Sequence, residues 1–553
     1  MSSIDWVVLI ATLCGIIIYG VYKSSASKNL EGYFLSNRDM PWYLVLLSIM
    51  GTQASAITFL SAPGQAYTDG MRFVQYYFGL PLAMIVICIF FVPVFRKLKV
   101  YTAYEFLENR FDIKTRTLTS GLFLLSRGLS TGISIYAPSL ILSSLLGWDI
   151  YYTNLVMGGL LIIYTMSGGA RAVAYTQQLQ LIIIISGMVL AGYMVVKLLP
   201  ADLGFLDALK IAGEQGKMNI ITTGVSENKG FDWKDKYNIW SGLIGGFFLA
   251  LSYFGTDQSQ VGRFLTARSD RESKLGLLMN GMVKVPMQWL ILLVGVLVFA
   301  FYQQNKAPIF FDQTRVEIAK QSGYNSKLFD LEQQYLQAQQ KHQTIIQDSL
   351  RKEYKSIIKK VIPGDDANDT NYIFLRFVVD NLPKGLVGLL IAVIFLAAWG
   401  SIAAALNSLA GCTMIDFHKK FSKRALTDKE EYRMARIYTL VWGVFSVIVA
   451  LFAHNLGNSL IEAVNILGSL FYGVILGIFL VAFWIKQIKG NAVFIGALIA
   501  QTLVLMIFWM DIVSFLWLNV IGALLVLVIA LIVQQFMSNK SVLPITDNLL
   551  KDS

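Results

Sequence analysis

Charge is what this sequence has least of: 15% of its 553 residues are Asp, Glu, Lys or Arg, against 55% hydrophobic residues. A soluble chain of this length divides into several domains and carries about 25% charge, which excludes that class. Cysteine is nearly absent as well. Cys14, Cys88 and Cys412 lie in or beside apolar runs at unrelated spacings, so they offer neither a disulfide framework nor a metal pattern. They read as small apolar residues in helices. No basic stretch precedes the first apolar run, Ile4–Tyr22, which carries Asp5. A cleaved secretory signal is therefore not expected. HExxH, GxxxxGK[ST] and nucleophile-elbow patterns are missing at any usable location, and the Gly168-Gly169 pair lacks the strand a nucleotide site needs. Catalysis is not expected, and no stretch resembles a soluble catalytic or signalling domain.

Long apolar runs are what the chain has instead, among them Pro81–Val94, Leu181–Val196, Val285–Phe301 and Ile512–Val533, with a mean hydropathy of +0.58 overall. About 20 apolar residues suffice for a helix to cross a bilayer. The runs predict an all-α integral membrane protein with about 13 transmembrane helices, at 4–22, 41–67, 73–95, 117–146, 150–168, 173–199, 238–261, 275–302, 384–415, 433–454, 458–485, 490–508 and 511–535. The formal charge of +11 comes from basic residues gathered in loops, chiefly 96–116, 262–274 and 416–436. Loops rich in Lys and Arg stay in the cytoplasm, so a lipid bilayer explains this charge and nucleic acid is not an expected partner. The expected location is the cell membrane, with the N-terminus outside and a cytoplasmic tail at 536–553. Two polar segments, 200–237 and 303–383, then fall outside. Within the second, Leu328–Lys360 has apolar residues at helical spacing and reads as an amphipathic helix or helical hairpin, a solvated cap.

Polar residues inside spans are costly and mark functional candidates. Lys284, Asp257, Glu462 and Arg127 are the charged ones. Asp257 and Glu462 sit near span ends and read as reaching interfacial water. Lys284 lies close enough to the inner end of its helix to extend toward the surface. The second and seventh spans run in opposite directions, and both are rich in small and polar residues: Gly51–Ala56 in one, and Gly242, Gly245, Gly246, Ser252 and Gly255 in the other. Such stretches mark either the broken helices of an inverted-repeat transporter or close helix packing.

Several stretches, taken in order, resemble the sodium:solute symporter family. They are Gly32-Tyr33-Phe34-Leu35, Ser55–Gly64, Gly168–Val173, Asp257-Gln258, Arg263–Ala267 and Ala405–Ala410. The resemblance covers roughly residues 30–485 and implies secondary active transport by alternating access: sodium-coupled symport of a small organic solute, a sugar, polyol or organic anion. It implies a LeuT-type core of inverted five-helix repeats at 41–199 and 238–485, the second carrying the extracytoplasmic insertion 303–383. One added helix at 4–22 precedes the core and two at 490–535 follow it. Sodium is the implied coupling ion, with no organic cofactor, held by Gly51, Ala54, Ala397 and Ser401. Gln53 and Thr58 match solute-binding positions, Tyr253 an aromatic inner gate and Lys284 a binding lysine. Tyr77 and Ala250 stand where sugar carriers place a glutamate and an asparagine. Two departures fall at the ion site: Gly400-Ser401 replaces paired hydroxyl residues, and Tyr175-Thr176-Gln177 lacks the aspartate of a W-T-D pattern. These allow a lowered sodium affinity or a changed ion. A membrane sensor or receptor using 303–383, or a sodium-independent transporter, are the alternatives.

Overall fold

The computed structural model describes residues 1–23, 30–226, 230–341, 343–362, 367–424, 426–453 and 459–539. The expected tail beyond residue 539, and the junction 454–458 of two expected spans, lie outside the described residues. In hydrocarbon every backbone polar group must be satisfied within its own segment, and helices do this. Among the described residues, nine helical runs are long and apolar enough to cross a membrane, and Ser3–Tyr19, Trp42–Gln53, Ile150–Met166 and Ser241–Thr256 are shorter apolar helices.

In chain order the helices that position the site are α1 (Ser3–Lys23), α2 (Trp42–Gln53), α3 (Ala56–Asp69), α4 (Ile113–Leu146), α5 (Ile150–Lys197), α6 (Gly246–Thr256), α7 (Gln258–Leu265) and α8 (Asp270–Gln304). Then come α9 (Asn325–Gln340), α10 (Thr344–Val361), α11 (Thr370–Asn381), α12 (Leu386–Cys412), α13 (Asp428–Leu451), α14 (Leu460–Trp484), α15 (Gly490–Trp509) and α16 (Phe515–Asn539). A two-residue antiparallel pair, Val225–Ser226 with Gly230–Phe231, is set into this helical array.

Two spans are broken. Helices α2 and α3 are interrupted at Ala54 (φ −80°, ψ 80°) and Ser55 (φ −85°, ψ 172°). Helices α6 and α7 part at Asp257 (φ −75°, ψ 118°), whose carboxylate caps α7 by accepting from the Ser259 amide. The most deeply buried helix, α12, packs against α2, α3 and α7. Helix α5 is a run of 48 residues, about 72 Å if straight at 1.5 Å per residue, more than twice a bilayer core. It is not straight. The Tyr164 hydroxyl lies 2.8 Å from the Thr176 hydroxyl, whereas 12 residues of straight helix would separate them by about 18 Å. The run therefore turns between these residues and supplies two spans' length.

The chain ends of these helices form two faces. One carries the insertion, where α9 and α10 make a helical hairpin. It is anchored by Asp369, which is fully buried and accepts from Arg351 Nη2 (2.8 Å), Lys355 Nζ (2.9 Å) and the Phe311 amide (3.0 Å). The opposite face is basic. There Asp416, also fully buried, receives Arg116 Nη2 (2.6 Å), Thr102 Oγ1 (2.7 Å) and Ser120 Oγ (2.8 Å). Arg110 on the same face donates to the carbonyls of Ile485 and Lys486 beyond α14.

Candidate solute and ion site

The α2–α3 break opens into a cavity of about 100 Å³, walled by Gln53, Ser55 and Thr58 from the break, Tyr76 and Tyr77, Arg127 of α4, Ala250 and Tyr253 of α6, and Asn465 and Tyr472 of α14. The cavity is closed at both ends by paired polar aromatics. Toward the insertion face Tyr76 Oη donates to Asn465 Oδ1 at 3.1 Å. Toward the basic face Gln260 Nε2 donates to Tyr253 Oη at 2.7 Å.

Arg127 gives the cavity its charge. Its guanidinium lies over the Tyr253 ring, 5.6 Å from the centroid, and 3.9 Å from Asp257 Oδ2. Asp257 is already well served: Tyr472 Oη donates to Oδ2 at 2.8 Å, and the Ser259 amide and hydroxyl donate to Oδ1 at 2.8 and 2.6 Å. Arg127 Nε has no partner, and neither does Gln53 Oε1. The wall thus offers one charged donor and one neutral acceptor, both buried and unsatisfied. Buried polar atoms are normally paired, and these two have no partner within the protein.

Behind the break, Gln177 of α5 joins α2 to α12. Ser48 Oγ donates to its Oε1 at 2.9 Å, while its Nε2 donates to the Gly400 carbonyl at 3.0 Å and to Thr52 Oγ1 at 3.3 Å. Gly51 permits this close approach: a Cβ there would lie 2.9 Å from Gln177 Cβ. At Gly400 the nearest atom to a Cβ would be Gln180 Oε1 at 2.5 Å, the end of a flexible side chain that can turn aside. The Ser401 hydroxyl donates to the Ala397 carbonyl at 3.0 Å, leaving its oxygen lone pairs free. Among the described residues no group of three or more His, Cys, Asp or Glu could hold a metal. The groups the two helices present here are neutral hydroxyls and carbonyls.

Four of the expected solute positions, Gln53, Thr58, Tyr77 and Tyr253, line the cavity. Lys284 does not. It is fully buried on α8 behind Tyr77, with Nζ 5.6 Å from the ring centroid, and does not extend to the surface. Asp257 does not reach interfacial water; it caps α7 inside the protein. Glu462, 5% exposed, borders an open polar cavity of about 560 Å³ and accepts from Tyr237 Oη (2.9 Å) and Lys236 Nζ (3.0 Å). Tyr76, Asn465 and Tyr472 were not foreseen as cavity residues. Arg127, foreseen only as a charge inside a span, is the cavity's cation, and its place among Ser126, Gly128 and Ser130 was the one signal for it.

Comparison with known proteins gives a consistent set of likenesses. The model of the sodium:solute symporter family matches residues 33–333 and 354–502. The sodium/sialic acid symporter SiaT of Proteus mirabilis is 27% identical over 95% of this chain and 93% of its own length. The sodium/sialic acid symporter NanT of Aliivibrio fischeri is 26% identical over 97% of this chain and 94% of its own. A solved structure of a sodium-coupled sialic acid symporter, substrate-bound and outward-open, superposes with a TM-score of 0.78 at 25% identity, covering 97% of this chain and 98% of that one.

Proposed function

We propose that this chain, which belongs to the sodium:solute symporter family and is thereby a sodium-coupled, multi-pass membrane symporter, carries a carboxylated sugar of the sialic acid class. The observation that carries this reading is Arg127, a guanidinium at the cavity wall with an unpaired Nε. The relatives named for sialic acid transport support it. A planar guanidinium binds a carboxylate through paired, charge-assisted hydrogen bonds. Gln53 Oε1 accepts from a sugar hydroxyl, and Thr58 and the four tyrosines enclose the ring.

Sodium is bound between the α2–α3 break and α12, by the carbonyls of Gly51, Ala54 and Ala397 and the Ser401 hydroxyl. The core consists of two inverted five-helix repeats, 41–199 and 238–485, with a broken helix opening each. The insertion face is extracellular and the basic face cytoplasmic, which places the N-terminus outside. Sodium binding orders the α2–α3 break and so favours solute binding, and by linkage the solute favours sodium by the same factor. Rocking of one bundle then exchanges the Tyr253–Gln260 closure for the Tyr76–Asn465 closure and opens the site to the basic face.

Uptake of labelled sialic acid into proteoliposomes tests the reading. An inward sodium gradient is expected to drive accumulation. Arg127→Gln is expected to raise the half-saturating solute concentration about tenfold or more, the range for a hydrogen bond to a charged group, with sodium still required. Accumulation indifferent to sodium, or an unchanged half-saturation in the variant, would overturn it.

A further inference from the structure

A second arginine lies one layer beyond the inner closure. Helix α7 begins at Asp257, beside Arg127, and carries Arg263 in its last turn, about 9 Å further along at 1.5 Å per residue. Arg263 is 2% exposed, and its Nε and Nη1 have no hydrogen-bond partner. Among the described residues no carboxylate pairs with it, and the charge it feels is that of Arg127, of the same sign. Arg263 lines a separate small cavity of about 20 Å³, shared with Gln258, Asn407 and Ser408. Asn407 Oδ1 is buried and unpartnered there too. The floor is tied in place: Gln258 Nε2 donates to the Tyr101 carbonyl at 2.8 Å, and Gln258 Oε1 accepts from the Ala103 amide at 2.9 Å.

A buried, unpaired guanidinium is costly, and charges in such positions are paired with a counter-ion. No fixed counter-ion is present among the described residues, and the pathway brings one past. We infer that Arg263, with Asn407, forms a second anion station on the basic-face side of the Tyr253–Gln260 closure, which takes the solute's carboxylate as Arg127 releases it. This rests on the anionic-solute reading above. The cavity is smaller than the central one, so the station fills only as the closure opens. Like charges at Arg127 and Arg263 then favour single occupancy of the pathway and forward transfer.

Sialic acid counterflow in membrane vesicles of opposite orientation separates the two faces. Arg263→Gln is expected to raise half-saturation at the basic face about tenfold or more, and to leave it within about twofold at the insertion face. Arg263→Lys, which keeps the charge, should retain most of the basic-face affinity. Because Arg263 is fully packed, a second variant guards against misfolding. Asn407→Asp supplies a fixed carboxylate in the same cavity, so it is expected to weaken basic-face affinity while raising the thermal unfolding midpoint. Equal changes at both faces, no change at the basic face in either variant, or release that tracks chloride rather than solute would overturn the station. Wild-type vesicles that carry no sialic acid at either face would overturn the anionic-solute reading, and the station with it.

Discussion

Replacing Gln177 by Glu changes one nitrogen to oxygen at the junction of α2, α5 and α12, and its outcome can be worked from three distances. The Thr52 hydroxyl at 3.3 Å already gives its proton to the Ser48 carbonyl, whereas Ser48 Oγ at 2.9 Å can donate to a carboxylate. The Gly400 carbonyl at 3.0 Å cannot. It would face an anion at hydrogen-bond distance in a dry interior, and an uncompensated buried charge costs about 3 kcal/mol or more. A sodium ion between the new carboxylate and the carbonyl removes that repulsion. The variant should therefore be less stable than wild type in sodium-free buffer and recover steeply as sodium is added. One extra site at a hundredfold excess over its Kd returns about 2.7 kcal/mol. The assay is the thermal unfolding midpoint of purified protein against sodium at pH 8, with choline holding ionic strength constant, and Gln177→Ala as the uncharged control. The sodium response of uptake should steepen in parallel, from a Hill coefficient of about 1 to about 2, as a second coupled ion requires. If the Glu and Ala variants both follow the wild-type sodium curve, the placement of Gln177 beside the ion path is refuted.

Two further outcomes follow from the buried charges near the faces. Asp416→Asn leaves Arg116 buried with only Glu108 as a charged partner; a cost of about 3 kcal/mol is expected, read as a lower thermal unfolding midpoint. At the insertion, burial pushes the Asp369 carboxyl up, but Arg351 and Lys355 outweigh it and hold it below its ordinary value of 3.8. A depressed carboxylate contributes stability that is fully present above the ordinary value and is lost as pH falls through the lower, folded one. The hairpin α9–α10 should thus keep its hydrogen-exchange protection down to about pH 4. Asp369→Asn should expose it at pH 7, and equal protection in both proteins would contradict the anchoring role.

The membrane class and the α2–α3 break were legible in the sequence for a physical reason. Apolar runs and small, polar interruptions are local properties, and Gly51–Ala56 contains the break at Ala54 itself. The α6–α7 break was harder. Its small residues, 242–255, lie within the helix, and the chain departs from it at Asp257, a residue that reads by position as interfacial. Its burial depends on Arg127 and Tyr472, more than a hundred residues away in either direction, and no local pattern reports that. Lys284 misled for the converse reason: helix position shows how far a side chain lies from the surface, and Tyr77, which separates it from the cavity, comes from another span. The sequence divides the run α5 into two apolar stretches; in the structure Ala170–Lys197 is long and apolar enough to cross a membrane and Ile150–Met166 is a shorter apolar helix.

The oxygens proposed to hold sodium are neutral, and the number of ions that move with each solute decides what powers uptake. If one sodium moves with one monocarboxylate, the simplest case of the function proposed above, the cycle translocates no net charge. The membrane potential, worth about 2.3 kcal/mol per elementary charge per 100 mV, then does no work on the cycle. Accumulation of the solute is capped at the ratio of sodium concentrations across the membrane. Such a protein suits a cell whose sodium gradient is large, and collapsing the potential with an ionophore should leave its steady-state accumulation unchanged.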